Sequence, residues 1–152
     1  MVIVGEAIRI WSAGYITKLS GLVTAGPFAM CRNPLYIGSF IICLGYLAMC
    51  QRLDVTIIGI ILFFIFHGGA VIHEERMLSE RFGEEYEAYC KSVPRFIPRF
   101  SRRIGQGSFS FKQVMANDEH RSAIAAVALV SAFCFMAYDS FSILQWLSRL
   151  AD

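Results

Sequence analysis

The stretches LYIGSFIICLGYLAMC (residues 35–50) and VTIIGIILFFIFHGGAVI (residues 55–72) decide how this chain folds. The first carries no charge and, with one flanking residue on each side, would extend about 27 Å as a helix, close to the thickness of a bilayer core. In the second, His67 is the single ionisable side chain among 18 residues. Because only the short polar break QRLD separates them, the two stretches predict a helical hairpin that spans a membrane.

The overall composition also indicates a membrane protein. The 152 residues have room for one domain, and a hydrophobic fraction of 56% is too high for an ordinary soluble domain. The 14 basic and 12 acidic residues leave a formal charge of +2. This small charge provides no general basic field, so nucleic acid is not an expected partner.

Two more segments have the character of membrane helices. Residues 122–138 form an apolar run, and residues 1–16 form a weaker one that contains Glu6 and Arg9. These two side chains lie three positions apart, so they are expected to pair or to line a polar interior. The first residues resemble the tail of a helix, and we expect further membrane segments upstream in the natural protein or its relatives.

The basic residues predict the orientation in the membrane. Eight of the fourteen lie between Glu74 and Lys112, so the positive-inside rule places this segment in the cytoplasm. Four spans with both termini outside agree with that placement. We therefore expect a multi-pass protein of a bacterial inner membrane whose functional surface faces the cytoplasm.

The cytoplasmic segment has a helical pattern of its own. Its apolar residues recur at steps of four, four, three and four, which places them on one face of an amphipathic helix that Pro94 ends; they are Leu78, Phe82, Tyr86, Tyr89 and Val93. The predicted fold class is all-α, a multi-pass membrane bundle with a cytoplasmic amphipathic helix. Residues 1–100 are expected to form the core, 101–121 a linker, and 122–152 an appended transmembrane helix.

The cysteines and histidines do not indicate a metal site. The five cysteines are odd in number, and no CxxC or tight Cys/His cluster occurs. On a helix, His67 and His73 would lie about 120° apart, with no third ligand at suitable spacing. We therefore expect no metal. We expect His67 to form an interhelical hydrogen bond. Because it is an ionisable group within a span, His67 also stays a candidate site residue.

The motif CRNPLYIGSF (residues 31–40) places polar side chains directly before the first apolar helix. Asn33 can cap that helix, Pro34 suits its first position, and Arg32 can lie among lipid headgroups. This structural interpretation leaves unexplained the moderately apolar loop at residues 18–31, a kind of loop that either cradles a ligand or merely turns.

Two adjacent carboxylates, Glu74 and Glu75, follow the second apolar helix. Neighbouring helical residues diverge by about 100°, so at most one of them can point into a shared pocket. Negative charge at a helix C-terminus opposes the macrodipole, and a cationic ligand would compensate for that placement.

Several motifs together resemble the isoprenylcysteine carboxyl methyltransferase family and the related membrane phospholipid methyltransferases. They are GLVTAGPFAMCRNPLYIG (21–38), a Glu-Glu pair one hairpin later, FGEEYEAY (82–89) and VPRFIP (93–98), in that order. The resemblance covers about residues 5–100. It implies a small helical membrane enzyme that uses S-adenosylmethionine and methylates a lipophilic small molecule within the membrane.

The resemblance also implies which residues form the site. Ser20, Gly21, Leu22, Val23 and Phe28 would line the cofactor, Asn33, Pro34 and Tyr36 would hold its amino-acid or adenosine portion, and Glu74 would contact it. Glu74, Glu75 and Arg32 would form the catalytic set. With an amine acceptor, Glu75, His73 or water would take the proton.

One departure from the family leaves the acceptor open. Relatives that process prenylcysteine are expected to have an arginine near position 70, where this chain has Ala70. Other lipid carboxylates, phospholipid amines and quinone-like hydroxyls therefore stay open. Two other functions are also open. One is a sterol-type double-bond reductase that uses NADPH; such enzymes typically have Arg-Asp and Cys where this chain has Glu74, Glu75 and Leu78. The other is a non-catalytic membrane scaffold.

Overall fold

The computed structural model describes residues 1–17 and 21–151, with the side chains of 102–103 and 139–151 left aside. The described chain is helical and contains no strand, which confirms the all-α prediction. The α-helices are α1 (Val2–Ala13), α2 (Pro34–Cys50), α3 (Leu53–Phe82), α4 (Glu84–Ser92), α5 (Phe111–Ala116) and α6 (Glu119–Ala151). Two 3₁₀ turns, Gly26–Ala29 and Arg102–Gly105, lie in the connections.

Among the described residues, two helices are long and apolar enough to cross a membrane. They are α3 and, within α6, the part Glu119–Tyr138. Helix α2 is apolar and, with 17 residues, lies at the lower limit for a span, whereas the 12 residues of α1 are fewer than a span requires. Helix α6 begins before the expected residue 122, and the expected linker 101–121 contains α5 and a 3₁₀ turn.

Helices α2 and α3 form the predicted hairpin. Gln51 ends α2 in the left-handed conformation (φ 52°, ψ 28°), which reverses the chain within the polar break. The ring of Phe40 then packs against Phe63 and Phe64 of α3, with centroid distances of 5.1 and 5.4 Å. This packing keeps the two helices side by side.

Helices α1 and α2 cross at glycines. A Cβ atom at Gly5 would lie 2.6 Å from the carbonyl oxygen of Gly38, and one at Gly38 would lie 2.7 Å from that of Gly5. A Cβ at Gly45 would lie 2.6 Å from a methyl carbon of Val2. Small residues of this kind let apolar helices approach closely enough for extensive van der Waals contact.

A buried polar cluster joins α1 to α6. Arg9 Nε donates to Glu119 Oε1 at 2.6 Å, and Arg9 Nη1 donates to Ser39 of α2. Glu6 is also buried and accepts a hydrogen bond from Ser122 at 3.4 Å. Glu6 and Arg9 therefore line a polar interior, and the direct partner of Arg9 is Glu119.

The single amphipathic helix predicted over residues 78–93 is wrong. Gly83, with φ 50° and ψ −122°, separates α3 from α4 in a conformation that side-chain-bearing residues rarely adopt. The apolar face nevertheless stays together: Leu78, Phe82, Tyr86, Tyr89 and Val93 form one cluster, joined by Leu22 and Cys90. The bend folds α4 back against the loop that precedes α2.

We expect Gly5→Ala to lower the thermal unfolding midpoint in detergent, because the added methyl group must push α1 from α2. Overpacking of this kind destabilises proteins by about 1–3 kcal/mol. Gly69→Ala is the matched control, since a Cβ there meets nothing within 4 Å. An unchanged midpoint for Gly5→Ala would contradict the close crossing.

We expect Arg9→Met to destabilise the fold strongly, because Glu6 and Glu119 then stay buried without a counter-charge. Breaking a buried ion pair by removing one partner typically costs about 3–5 kcal/mol. Arg121→Met, which removes an exposed partner of Asp118 at 3.4 Å, is the control and should change the midpoint much less. Equal shifts for both variants would show that the buried cluster does not hold α6.

Candidate active site

The Glu75 carboxylate is the centre of a network in the C-terminal part of α3. Arg95 Nε donates to both of its oxygens at 3.0 Å, and Arg95 Nη2 also donates to Oε2. Asn33 Nδ2 donates to Glu75 Oε1 at 3.1 Å, and Arg32 Nη1 lies 3.6 Å from the same oxygen. The side chains of Arg32 and Glu75 are 17% and 13% exposed, so solvent screens their attraction weakly.

The same network explains why Asn33 does not cap α2 with its side chain. Its amide donates to Glu75 and to the carbonyl of Arg95, at 3.1 and 3.3 Å, and makes no cap hydrogen bond. Pro34 occupies the first helical position, as predicted.

Three further hydrogen bonds tie the loop before α2 to the segment after α3. Arg32 N donates to the carbonyl of Pro94 at 2.9 Å, and Arg99 N donates to that of Met30 at 3.0 Å. The Tyr89 hydroxyl donates to the carbonyl of Phe28 at 2.7 Å. The two segments therefore form one layer that covers the N-terminal end of α2 and the C-terminal part of α3.

This layer encloses a cavity of about 200 Å³, which we call the polar cavity. Its wall includes most of the residues that the sequence predicted for the cofactor site and two of the three in the catalytic set, with Glu74 belonging to both. They are Gly21, Leu22, Val23, Phe28, Arg32, Asn33 and Glu74. Segments that lie about forty residues apart in the sequence thus meet around one space.

The remaining predicted residues lie elsewhere. Ser20 falls outside the described residues, and Pro34 is buried in the first turn of α2 without lining the polar cavity. Glu75 does not line the polar cavity, and its carboxylate binds Asn33 and Arg95 instead. Tyr36 does not line the polar cavity, but its phenol interacts with the carboxylate of Glu74, which does.

Sequence reasoning missed several residues of the cavity wall. They are Ile16, Thr17, Leu78, Arg81, Phe82, Tyr86 and Tyr89. Helical spacing carried a signal for two of them, because positions four and seven after Glu74 share its helix face. These positions are Leu78 and Arg81, and Arg81 adds a second guanidinium to the cavity.

An apolar groove lies on the other side of Tyr36, between α2 and α3. Its volume is about 370 Å³, and its aromatic wall consists of Tyr36, Phe40, Phe63, Phe64, His67 and Phe96. The polar cavity and the apolar groove therefore adjoin at Tyr36, which lines the groove, and Glu74, which lines the cavity. A polar molecule and an apolar one can lie on either side of this pair.

His67 lies within the apolar groove. Its ring stacks on Phe63 with centroids 4.0 Å apart and meets the Tyr36 ring edge-on at 6.1 Å. Its Nδ1 bonds to the carbonyl of Phe63 at 3.1 Å, within the same helix. Among the described residues the predicted interhelical hydrogen bond is not formed, and the contact between the helices is the Tyr36 ring instead.

Charge is distributed unevenly around the polar cavity. Glu74 provides a carboxylate, while Arg32 and Arg81 provide guanidiniums. Arg32 Nε is buried and has no hydrogen-bond partner among the described residues. A buried donor without a partner costs about 1–3 kcal/mol, so an anionic group in the cavity would be stabilised beside it. The cavity can hold a small molecule that carries both charges.

Tyr86 gives a prediction on pH. Its burial, and then its proximity to Cys90 and Glu75, raise the pKa of Tyr86 to about 12. The unfolded chain loses the phenol proton near pH 10, whereas the folded chain keeps it. The unfolded state then binds fewer protons, so stability falls as pH rises from about 10 to 12.

We therefore expect the thermal midpoint to drop over that interval, and to drop less in Tyr86→Phe. Tyr138→Phe, at an exposed position on α6, is the matched control and should follow the unaltered chain. Parallel pH curves for Tyr86→Phe and the unaltered chain would contradict the prediction.

Comparison with known proteins places this geometry in a family. Residues 5–85, just over half of the chain, match the family model described as phospholipid methyltransferase. The match includes α1, the loop before α2, the hairpin and both glutamates. No solved structure gives a significant match.

Three curated relatives show how far the similarity extends. The cobalt-zinc-cadmium resistance protein CzcN of Cupriavidus metallidurans is 35% identical over 67% of this chain and 48% of its own length. The nickel-cobalt-cadmium resistance protein NccN of Alcaligenes xylosoxydans is 36% identical over 61% and 44%. The protein-S-isoprenylcysteine O-methyltransferase of Schizosaccharomyces pombe is 34% identical over 64% and 42%.

The chain spans about half the length of these relatives. The matched region nevertheless contains the loop and the hairpin beside the polar cavity, and Glu74 in its wall. The chain therefore belongs to the phospholipid methyltransferase family.

Proposed function

We propose that this chain is an integral membrane methyltransferase that binds S-adenosylmethionine in the polar cavity and methylates a lipophilic acceptor in the apolar groove. One observation carries the proposal: a cavity with charged walls and a groove with aromatic walls adjoin where Tyr36, in the groove wall, interacts with Glu74, in the cavity wall. The names of the family and of the S. pombe relative support the same reaction.

The residues of the polar cavity fit this cofactor chemically. S-adenosylmethionine carries a carboxylate, an ammonium, a sulfonium and an adenine ring. The unpartnered Nε of Arg32 suits the carboxylate, and the Glu74 carboxylate suits a cationic centre. Phe28 and Phe82 offer ring faces to the adenine.

Glu74 and Glu75 have different roles in this proposal. Glu74 lines the polar cavity and contacts the cofactor, whereas Glu75 positions Arg32 and Asn33 through its carboxylate. Asn33 lines the polar cavity and donates a hydrogen bond to Glu75. Glu75 is therefore a positioning residue, since its oxygens bind Asn33 and Arg95 and attract Arg32.

When bound, S-adenosylmethionine supplies the methyl group. The chain's own contribution is alignment, because the layer of loop and α4 fixes the polar cavity against the groove. Orientation of two reactants can contribute roughly 7–11 kcal/mol to lowering a barrier. The aromatic wall of the groove also excludes water from the place where the two spaces meet.

We further propose a multi-pass protein of a bacterial inner membrane with its site at the cytoplasmic face. The two long apolar helices support membrane insertion. Eight of the fourteen basic residues lie between Glu74 and Lys112, which supports a cytoplasmic position for the layer that covers the site.

We expect Glu74→Gln to weaken the binding of S-adenosylhomocysteine and S-adenosylmethionine at least tenfold, about 1.4 kcal/mol, in isothermal titration of protein in detergent. The neutral amide keeps the size of the side chain and removes its charge. Glu80→Gln on the exposed face of α3 is the matched control and should leave both affinities unchanged.

The same protein allows a test against other functions. A thermal-shift comparison should show stabilisation by S-adenosylhomocysteine and none by NADPH. Stabilisation by NADPH alone would favour the reductase, and stabilisation by neither, in protein shown to be folded, would favour a scaffold. Incubation of membranes with radiolabelled S-adenosylmethionine should then transfer the label to an extractable lipid.

A further inference from the structure

Charge in the apolar groove restricts the chemistry of the acceptor. Arg95 is the one guanidinium among the described residues that line it, and no acidic side chain does. Two nitrogens of that guanidinium, Nε and Nη2, bind the Glu75 carboxylate. The positive charge of Arg95 is therefore already compensated.

A charged acceptor head would thus lack a counter-charge in this groove. A carboxylate would need a cation that Glu75 does not already neutralise, and Ala70 offers none. An ammonium would need a carboxylate, which the described wall does not contain. Because an unpaired charge is costly to bury, a neutral head group is favoured.

His67 offers a neutral head group one specific partner. A carbonyl oxygen can only accept a hydrogen bond, so the bond to Phe63 O assigns the ring proton to Nδ1. In the neutral imidazole, Nε2 then carries a lone pair. Among the described residues no hydrogen bond to Nε2 is formed, and the ring lies in the wall of the groove.

The position of His67 relates it to the polar cavity. Its ring meets the Tyr36 ring edge-on at 6.1 Å, and the phenol of Tyr36 interacts with Glu74 in the cavity wall. A head group held at His67 therefore lies one aromatic ring away from the place where the two spaces meet. Stacking on Phe63 keeps the imidazole in this orientation.

We propose that the acceptor is a lipophilic hydroxyl compound whose O–H donates to Nε2 of His67, an inference that rests on the proposed function. In the transfer, the acceptor oxygen forms a bond to the methyl carbon and the donor's sulfur keeps the electron pair of the broken C–S bond. The hydroxyl proton passes to His67 Nε2. The products are a methyl ether, a neutral thioether and an imidazolium, so atoms and charge balance. The Phe63 ring stacked 4.0 Å from His67 stabilises the imidazolium until its proton leaves to water.

Four probes with one tail and different heads test the proposal on the chain in nanodiscs: 4-octylphenol, 4-octylbenzoate, 4-octylbenzylamine and octylbenzene. We expect the phenol to bind at least tenfold more tightly than the other three. Tighter binding of the benzoate or the amine would overturn the proposal. This ranking needs no variant.

His67→Phe keeps a ring that can stack on Phe63 and removes Nε2. We expect it to reduce the affinity for 4-octylphenol about tenfold, to the level of octylbenzene, and to leave that for S-adenosylhomocysteine unchanged. His73→Phe, at an exposed position six residues further along α3, is the matched control. Unchanged phenol binding in His67→Phe would overturn the role of His67.

Binding of the four probes is measured with and without S-adenosylhomocysteine, so that the two proposals fail separately. If the chain binds the phenol more tightly than the other three probes but binds no S-adenosylhomocysteine, the proposed function fails, while the preference of the groove for a hydroxyl head group is still shown. If it binds S-adenosylhomocysteine but does not prefer the phenol, the hydroxyl acceptor is wrong and the methyltransferase stands.

Discussion

The carboxylate of Glu75 binds Arg95 and Asn33 and lies 3.6 Å from Arg32, and the arrangement of the whole site depends on this interaction. This interaction brings the loop before α2 and the segment after α4 to the C-terminal part of α3. Backbone hydrogen bonds from Arg32 to Pro94 and from Arg99 to Met30 then hold the two segments together. Without a buried anion at this point, two guanidiniums would lie close together with nothing to offset their repulsion.

Two environments adjoin the layer produced by this network. On one side the polar cavity has Glu74, Arg32 and Arg81 in its wall, and on the other the apolar groove is lined by aromatic rings. Tyr36 in the groove wall interacts with Glu74 in the cavity wall where the two adjoin. A water-soluble molecule and a lipid-soluble one can meet there, because the charged wall of the cavity suits the first and the aromatic wall of the groove suits the second.

Close packing elsewhere keeps these elements in place. The glycines Gly5 and Gly38 allow α1 and α2 to approach, and Arg9 joins both helices to Glu119 of α6. The last helix is therefore joined to the core by a buried ion pair. In apolar surroundings such polar contacts discriminate between arrangements, because a misplaced partner leaves a charge buried and unpaired.

The sequence by itself determined the helices and much of the wall of the polar cavity. Long apolar runs fix α2 and α3 locally, and the family motifs selected Gly21, Leu22, Val23, Phe28, Asn33 and Glu74, which line one cavity. The helical step of four and three likewise found the cluster around Tyr86 and Tyr89, since burial follows periodicity even across a bend.

Only the tertiary structure decided the partners of the charged groups. Arg9 binds Glu119, which lies 110 positions away, and Glu75 binds Arg95, which lies 20 positions away around a reversal of the chain. It also decided that the helix breaks at Gly83 and that Tyr36 faces the groove. Periodicity and spacing describe one helix at a time, whereas ion pairing and cavity walls depend on distances between helices, which packing sets.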